Sequence, residues 1–168
     1  NEQSLVLKIC NLSDGDARAA YKTSDLDVRA YKRLKMFVHA EGSEDNLLDG
    51  ELSCFIRLGT DFTSNYYEYE IPLKVTNFGQ NGRNEVWPVE NNIDIEFEQF
   101  QSAKQQRNFY TDDVFSPYIT YLDGGKKIIV VGNPNLSRVK TIMIGVRNPK
   151  KLSNDSDDDG LPKCGEIW

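Results

Sequence analysis

Leu52-Ser53-Cys54-Phe55-Ile56-Arg57-Leu58 and Tyr66-Tyr67-Glu68-Tyr69-Glu70-Ile71-Pro72-Leu73 decide how this chain folds. Alternate residues of an extended strand point to opposite faces, so Leu52, Cys54, Ile56 and Leu58 share one side of the first stretch. In the second, Tyr67, Tyr69 and Ile71 oppose Tyr66, Glu68 and Glu70, and Pro72 limits ladder pairing near its end. Period-two alternation in residues of this kind predicts strands. Ile93, Ile95 and Phe97 alternate with Asp94, Glu96 and Glu98 in the same way. Shorter candidates are residues 4–10, 35–40, 127–131 and 140–146, with 165–168 as the start of a last strand. Eight short strands separated by Gly, Asn, Asp and Pro clusters predict an all-β fold, a jelly-roll-like β-sandwich. One or two short helices complete the expectation. Residues 98–108 lack Gly and Pro and space Phe100 and Ala103 three apart, and 25–31 form a second helical turn capped by Ser24 or Asp25.

The 168 residues are 39% hydrophobic and 27% charged, enough for one ordinary core, so a single domain over 1–168 is expected, with an acidic loop at 153–163. The longest apolar runs, 128–131 and 142–146, fall far below the roughly 20 residues of a helical membrane span. Direct membrane insertion of this chain as a helix is therefore not expected. Twenty Lys and Arg against 26 Asp and Glu give a net charge of −6, the wrong sign for a generic phosphate-backbone binder, which argues against a nucleic-acid partner. A chain that opens on Asn1 with no basic-then-apolar leader reads as a piece of a longer one.

Three cysteines, Cys10, Cys54 and Cys164, without C-x-x-C spacing exclude a zinc site and a dense disulfide framework. They read most simply as core or isolated thiols. A Cys10–Cys164 bridge stays open, because terminal strands of a sandwich often lie side by side, and it requires an oxidising compartment.

Asp155-Ser156-Asp157-Asp158-Asp159-Gly160, followed after five intervening residues by Glu166, fits the calcium-loop pattern D-x-D-x-D-G-x5-E. Asp155, Asp157 and Asp159 present alternate carboxylates, Gly160 permits the bend, the Leu161 carbonyl adds an oxygen and Glu166 closes the shell. Its flanks read as strand and loop, which excludes an EF-hand and leaves a looser calcium loop. The plainer reading of the same run is a solvated acidic loop.

His39 is the only histidine, and it reads as a half-exposed strand residue rather than a catalytic base. No G-x-S-x-G, H-E-x-x-H or P-loop pattern accompanies it. Acids such as Glu68, Glu70, Asp94, Glu96 and Glu98 read as the wet face of a sheet, not a glycosidase pair, so no enzyme and no catalytic residue is expected. Among the aromatics, Tyr66 and Trp87 are the better candidates for exposure and for stacking on a sugar, in the manner of a carbohydrate-binding jelly roll. Core and cross-strand pairing is the simpler role for the others.

Several blocks carry a resemblance: Asp14-Gly15-Asp16-Ala17-Arg18-Ala19, Met36-Phe37-Val38-His39-Ala40, Phe55-Ile56-Arg57-Leu58-Gly59, residues 66–73, Val131-Gly132-Asn133-Pro134-Asn135-Leu136-Ser137, Ile144-Gly145-Val146-Arg147-Asn148 and Glu166-Ile167-Trp168. In this order and over nearly the whole chain they resemble the SprA (Sov) family of large cell-surface proteins. The resemblance implies a segment of the outer-membrane translocon of type IX secretion, needed in gliding bacteria for motility. It implies a cell-envelope location on the periplasmic or extracellular side of the outer membrane. The implied partners are other segments and subunits of the translocon and secreted cargo proteins, and the implied role is structural or protein-docking. The family supplies no catalytic residue, and neither 77–83 nor 153–163 matches a family block, so the calcium loop draws no support from it.

Overall fold

The computed structural model describes residues 4–42, 47–77, 79–150 and 159–168. Its strands are β1 (Leu7–Leu12), β2 (Ala17–Leu26), β3 (Arg33–Met36), β4 (Ala40–Gly42), β5 (Ser53–Gly59), β6 (Tyr66–Pro72), β7 (Ile93–Glu96), β8 (Tyr118–Tyr121), β9 (Lys127–Val131), β10 (Val139–Arg147) and β11 (Lys163–Ile167). The helices are α1 (Arg83–Val86) and α2 (Phe97–Tyr110). A six-stranded antiparallel sheet runs β2-β10-β5-β6-β9-β8, beside a three-stranded sheet β1-β11-β4 and a β3-β7 ribbon. The chain is therefore mainly β and antiparallel, as expected. Among the described residues its strands sort into sheets of six, three and two.

Strands β5 and β6 pair in the register that the alternation requires, Ile56 opposite Tyr69 and Leu58 opposite Tyr67. One face of the large sheet thus gathers Cys54, Ile56, Leu58, Tyr67, Tyr69, Ile71, Ile128, Val130 and Val146 into the core. Helix α2 packs there through Phe97, Phe100 and Ala103, with the Phe100 ring 5.3 Å from that of Tyr67. The Glu96 backbone N–H donates to Gln99 Oε1 and caps the first turn. Ile9, Leu12, Ala40 and Ile167 of the three-stranded sheet, with Ile93 and Ile95 of the ribbon, join the same core.

Some expectations are corrected. Residues 25–31 form no helical turn: β2 continues to Leu26, which pairs with Val139, and Tyr31 N–H closes a tight turn on Val28 O. The strand expected over 35–40 divides into β3 and β4, which belong to different sheets. The isolated-thiol reading holds for buried Cys54 alone, because Cys10 and Cys164 form a disulfide. The physical reason is register: Lys8 faces Glu166 and Ile9 faces Gly165, which carries the two cysteines to adjacent positions on β1 and β11. His39 is also buried, at 3% exposure. Its backbone exchanges hydrogen bonds with Trp168 in both directions. Its Nδ1 lies 2.6 Å from Val86 O, and since a carbonyl only accepts, Nδ1 carries the proton.

Candidate functional site

The acids of β6 are not on a wet face. Glu68 and Glu70 are 0% and 2% exposed, which corrects the solvent-facing reading while keeping the two on one side of the strand. Cross-strand pairing supplies the reason, since Arg57 sits opposite Glu68 and Lys127 opposite Glu70. Arg57 Nη2 lies 2.6 Å from Glu68 Oε2, Lys127 Nζ 3.0 Å from Glu70 Oε1, and Arg147 bridges both carboxylates through Nη1. Ser53 Oγ donates to Glu70 at 2.7 Å. The Arg57 guanidinium also lies 3.8 Å from the centroid of Tyr66, and that of Arg147 lies 4.6 Å from Phe55. A general acid or nucleophile needs a carboxylate free to exchange a proton or attack. Here every carboxylate oxygen faces a cation or a hydroxyl, so the cluster holds strands together.

Tyr66 is buried at 9%, because Arg57 stacks on its ring, so the exposure expected of it is corrected. Trp87 is 41% exposed, as expected, and belongs to a different cluster with Phe37 and His39. The two proposed sugar platforms do not come together. Trp87 does border a polar groove of about 570 Å³ with Lys74, Asn77, Asn84 and Glu85.

Of the acidic run, Asp155 and Asp157 lie outside the described residues. Asp159 Oδ1 accepts from Leu161 N–H at 2.8 Å and from Lys163 Nζ at 2.7 Å. Lys163 also reaches buried Glu51 at 2.6 Å. The Leu161 carbonyl accepts from Asn148 Nδ2 at 3.0 Å, and Glu166 pairs with Lys8 across the β1–β11 ladder. A cation bound at Asp159 Oδ1 has to displace the Lys163 ammonium.

Another set of exposed apolar side chains lies on α2, β8 and the segment between them. Phe109 (82%) and Tyr110 (72%) end α2, Phe115 (71%) follows, and Ile119 and Tyr121 project from β8. Strand β8 is an edge, paired with β9 alone, and its Tyr118-Ile119-Thr120-Tyr121 carries no charge and no proline. Edge strands normally discourage pairing with charge, proline or bulges. The opposite edge, β2, does so with Arg18, Lys22 and Asp25.

Over residues 1–168 the sequence matches the family SprA_N, described as motility related/secretion protein. The chain belongs to that family. No curated protein matches it closely enough to be ranked as similar. The SprA_N description names motility and secretion and no catalysed reaction. Within this family domain, the Cys10–Cys164 bridge fits an extracytoplasmic, envelope setting, where disulfides form and persist. Among the described residues, no helix is long and apolar enough to cross a membrane. The SprA_N residues that sequence reasoning missed are the cations Arg57, Arg147 and Lys127. The available signal was their spacing: all three fall on the acid-bearing side of their strands once the ladder register is known.

Proposed function

We propose that this SprA_N domain is a non-enzymatic docking module of the type IX secretion and gliding-motility translocon, at the outer membrane. Its contact surface is the β8 edge, and its partners are extended segments of other translocon subunits or secreted cargo. The observation that carries this reading is the uncharged β8, paired on one side only, together with the exposed Phe109, Tyr110 and Phe115 that precede it in the chain. Unpaired N–H and C=O groups accept an added strand, while exposed aromatics supply apolar contact that soluble surfaces seldom leave uncovered. In the full-length protein, an Ile119→Lys, Tyr121→Lys double variant abolishes secretion and motility without lowering the amount of folded protein. A photo-crosslinker at 119 captures a translocon subunit or cargo. Normal secretion and motility in the double variant overturn the reading.

The Trp87 groove favours a second reading, a carbohydrate-binding-like module, because an exposed indole beside Asn and Glu side chains suits a sugar ring. Glycan-array binding that disappears in Trp87→Ala supports it, and an array with no signal removes it.

A further inference from the structure

On a chain of net charge −6, a pocket that carries a lysine with no ion-pair partner among the described residues calls for an explanation, and one of about 520 Å³, lined by Lys104 and by Arg29, which pairs with Asp27, lies between α2 and the loop after β9. Helix α2 lines it with Gln101, Lys104, Gln105 and Asn108, the i, i+3, i+4, i+7 row of one helix face. Asn133 and Asn135 form the facing wall. That wall is firmly held. Gly132 N–H donates to Val114 O and Asn133 N–H to Asn65 Oδ1, while Asn135 Oδ1 accepts from Ser137 N–H. Gly132 has φ +66°, and a Cβ there would sit 1.8 Å from Ser64 O, so glycine is required. Lys104 Nζ ties helix to loop by donating to Pro134 O at 2.9 Å.

The charges behind the pocket lack counterions. Arg107 is 1% exposed and gives its N–H groups to Asn108 Oδ1 and to the carbonyls of Val114 and Gly132. Among the described residues, neither Arg107 nor Lys104 has an ion-pair partner, whereas buried charges are ordinarily paired. Burial, and then the neighbouring Arg107 charge, push the Lys104 pKa down. An incoming anion relieves the repulsion between the two cations. The amides add shape. Arg107 occupies the Asn108 oxygen, which leaves its NH₂ to donate outward, and no partner engages the side chains of Gln101, Gln105 or Asn133 among the described residues. Gln101, Gln105 and Asn133 can each donate to a peptide C=O and accept from a peptide N–H, and Asn108 can donate, which suits the backbone of an extended chain.

We propose that this pocket binds an extended acidic peptide segment, with a carboxylate on Lys104 and the peptide backbone on the amide row of α2 and Asn133. The proposal goes beyond the β8 reading and uses different residues, so either can fail alone.

The test is an NMR titration of the ¹⁵N-labelled chain with a capped peptide of alternating Thr and Glu, its Thr/Gln counterpart, and inorganic phosphate. The Glu peptide shifts the side-chain NH₂ signals of Gln105, Asn108 and Asn133, and the Gln peptide binds about tenfold or more weakly. Lys104→Gln weakens the Glu peptide by about tenfold at an unchanged melting temperature. Asn133→Ala, on the surface, weakens it too and serves as the second variant should Lys104→Gln melt early. No shift at millimolar Glu peptide, equal binding of the Gln peptide, or a response to phosphate alone overturns the proposal.

Discussion

Glu68 is the most deeply buried acid of the large sheet's charged network. Its carboxylate sits between Arg57 and Arg147 at 0% exposure, so removing its charge leaves Arg57 without its carboxylate partner and Arg147 with Glu70 alone. Breaking a buried pair by deleting one partner costs about 3–5 kcal/mol. Glu68→Gln is expected to fall in that range in urea unfolding, whereas Glu166→Gln, from an exposed pair, stays within about 1 kcal/mol. Gly145 matters on the same face. A Cβ there would meet Phe55 Cζ at 2.4 Å and Ala19 Cβ at 2.7 Å, so the Phe55 ring lies across a strand that offers no side chain. Gly145→Ala is expected to cost about 1–3 kcal/mol by overpacking, read from the same unfolding curves.

At the scale of elements, the β5–β6 hairpin is closed by Asp61. Its Oδ1 accepts from the backbone N–H of Thr63, Ser64 and Asn65, and its Oδ2 from Asn65 Nδ2. Desolvation, the largest single influence, pushes its pKa up, but the hydrogen bonds from the Asn65 side chain and the three backbone N–H groups together outweigh it and hold the carboxyl at about 2. A carboxylate held below its unfolded pKa stabilises the fold above that value and loses the contribution as pH falls through the folded pKa. The melting-temperature gap between wild type and Asp61→Asn is therefore expected to be constant above pH 3.8 and to close as the pH approaches about 2. The hairpin itself is legible in the sequence, because its two strands alternate cleanly. Strand β2 is not legible: as an edge exposed on most of its length, Ala17–Leu26 has no apolar side to reveal. Its pairing with β10 comes from the ladder and not from a hydrophobic pattern.

For the molecule as a whole, the Cys10–Cys164 bridge spans 154 residues and fastens β11 between its two neighbours. A cross-link over so long a loop removes much unfolded-chain entropy, and losing a native disulfide typically costs about 2–5 kcal/mol. A Cys10→Ser, Cys164→Ser chain is expected to melt several degrees lower, and dithiothreitol is expected to lower wild type to match it. Cys54 contributes nothing to that response, since burial pushes its thiol pKa up to about 12.

By itself the sequence determined the mainly β character, the inward set Cys54, Ile56, Leu58, Tyr67, Tyr69 and Ile71, and the family, because alternation and contiguous blocks are local properties of the chain. Helix α2 was legible for the same reason, from the spacing of Phe100 and Ala103. Tertiary structure decided what local pattern does not carry. It joined the two cysteines and divided the strands into six, three and two. It turned the acids of β6 from a wet face into a buried network, because their cations arrive from β5, β9 and β10. It also placed Lys104 and buried Arg107 behind a wall of amides contributed by a loop 25 or more residues away. Those outcomes depend on which segments meet, and the cost of an unpaired buried charge is fixed only once they have met.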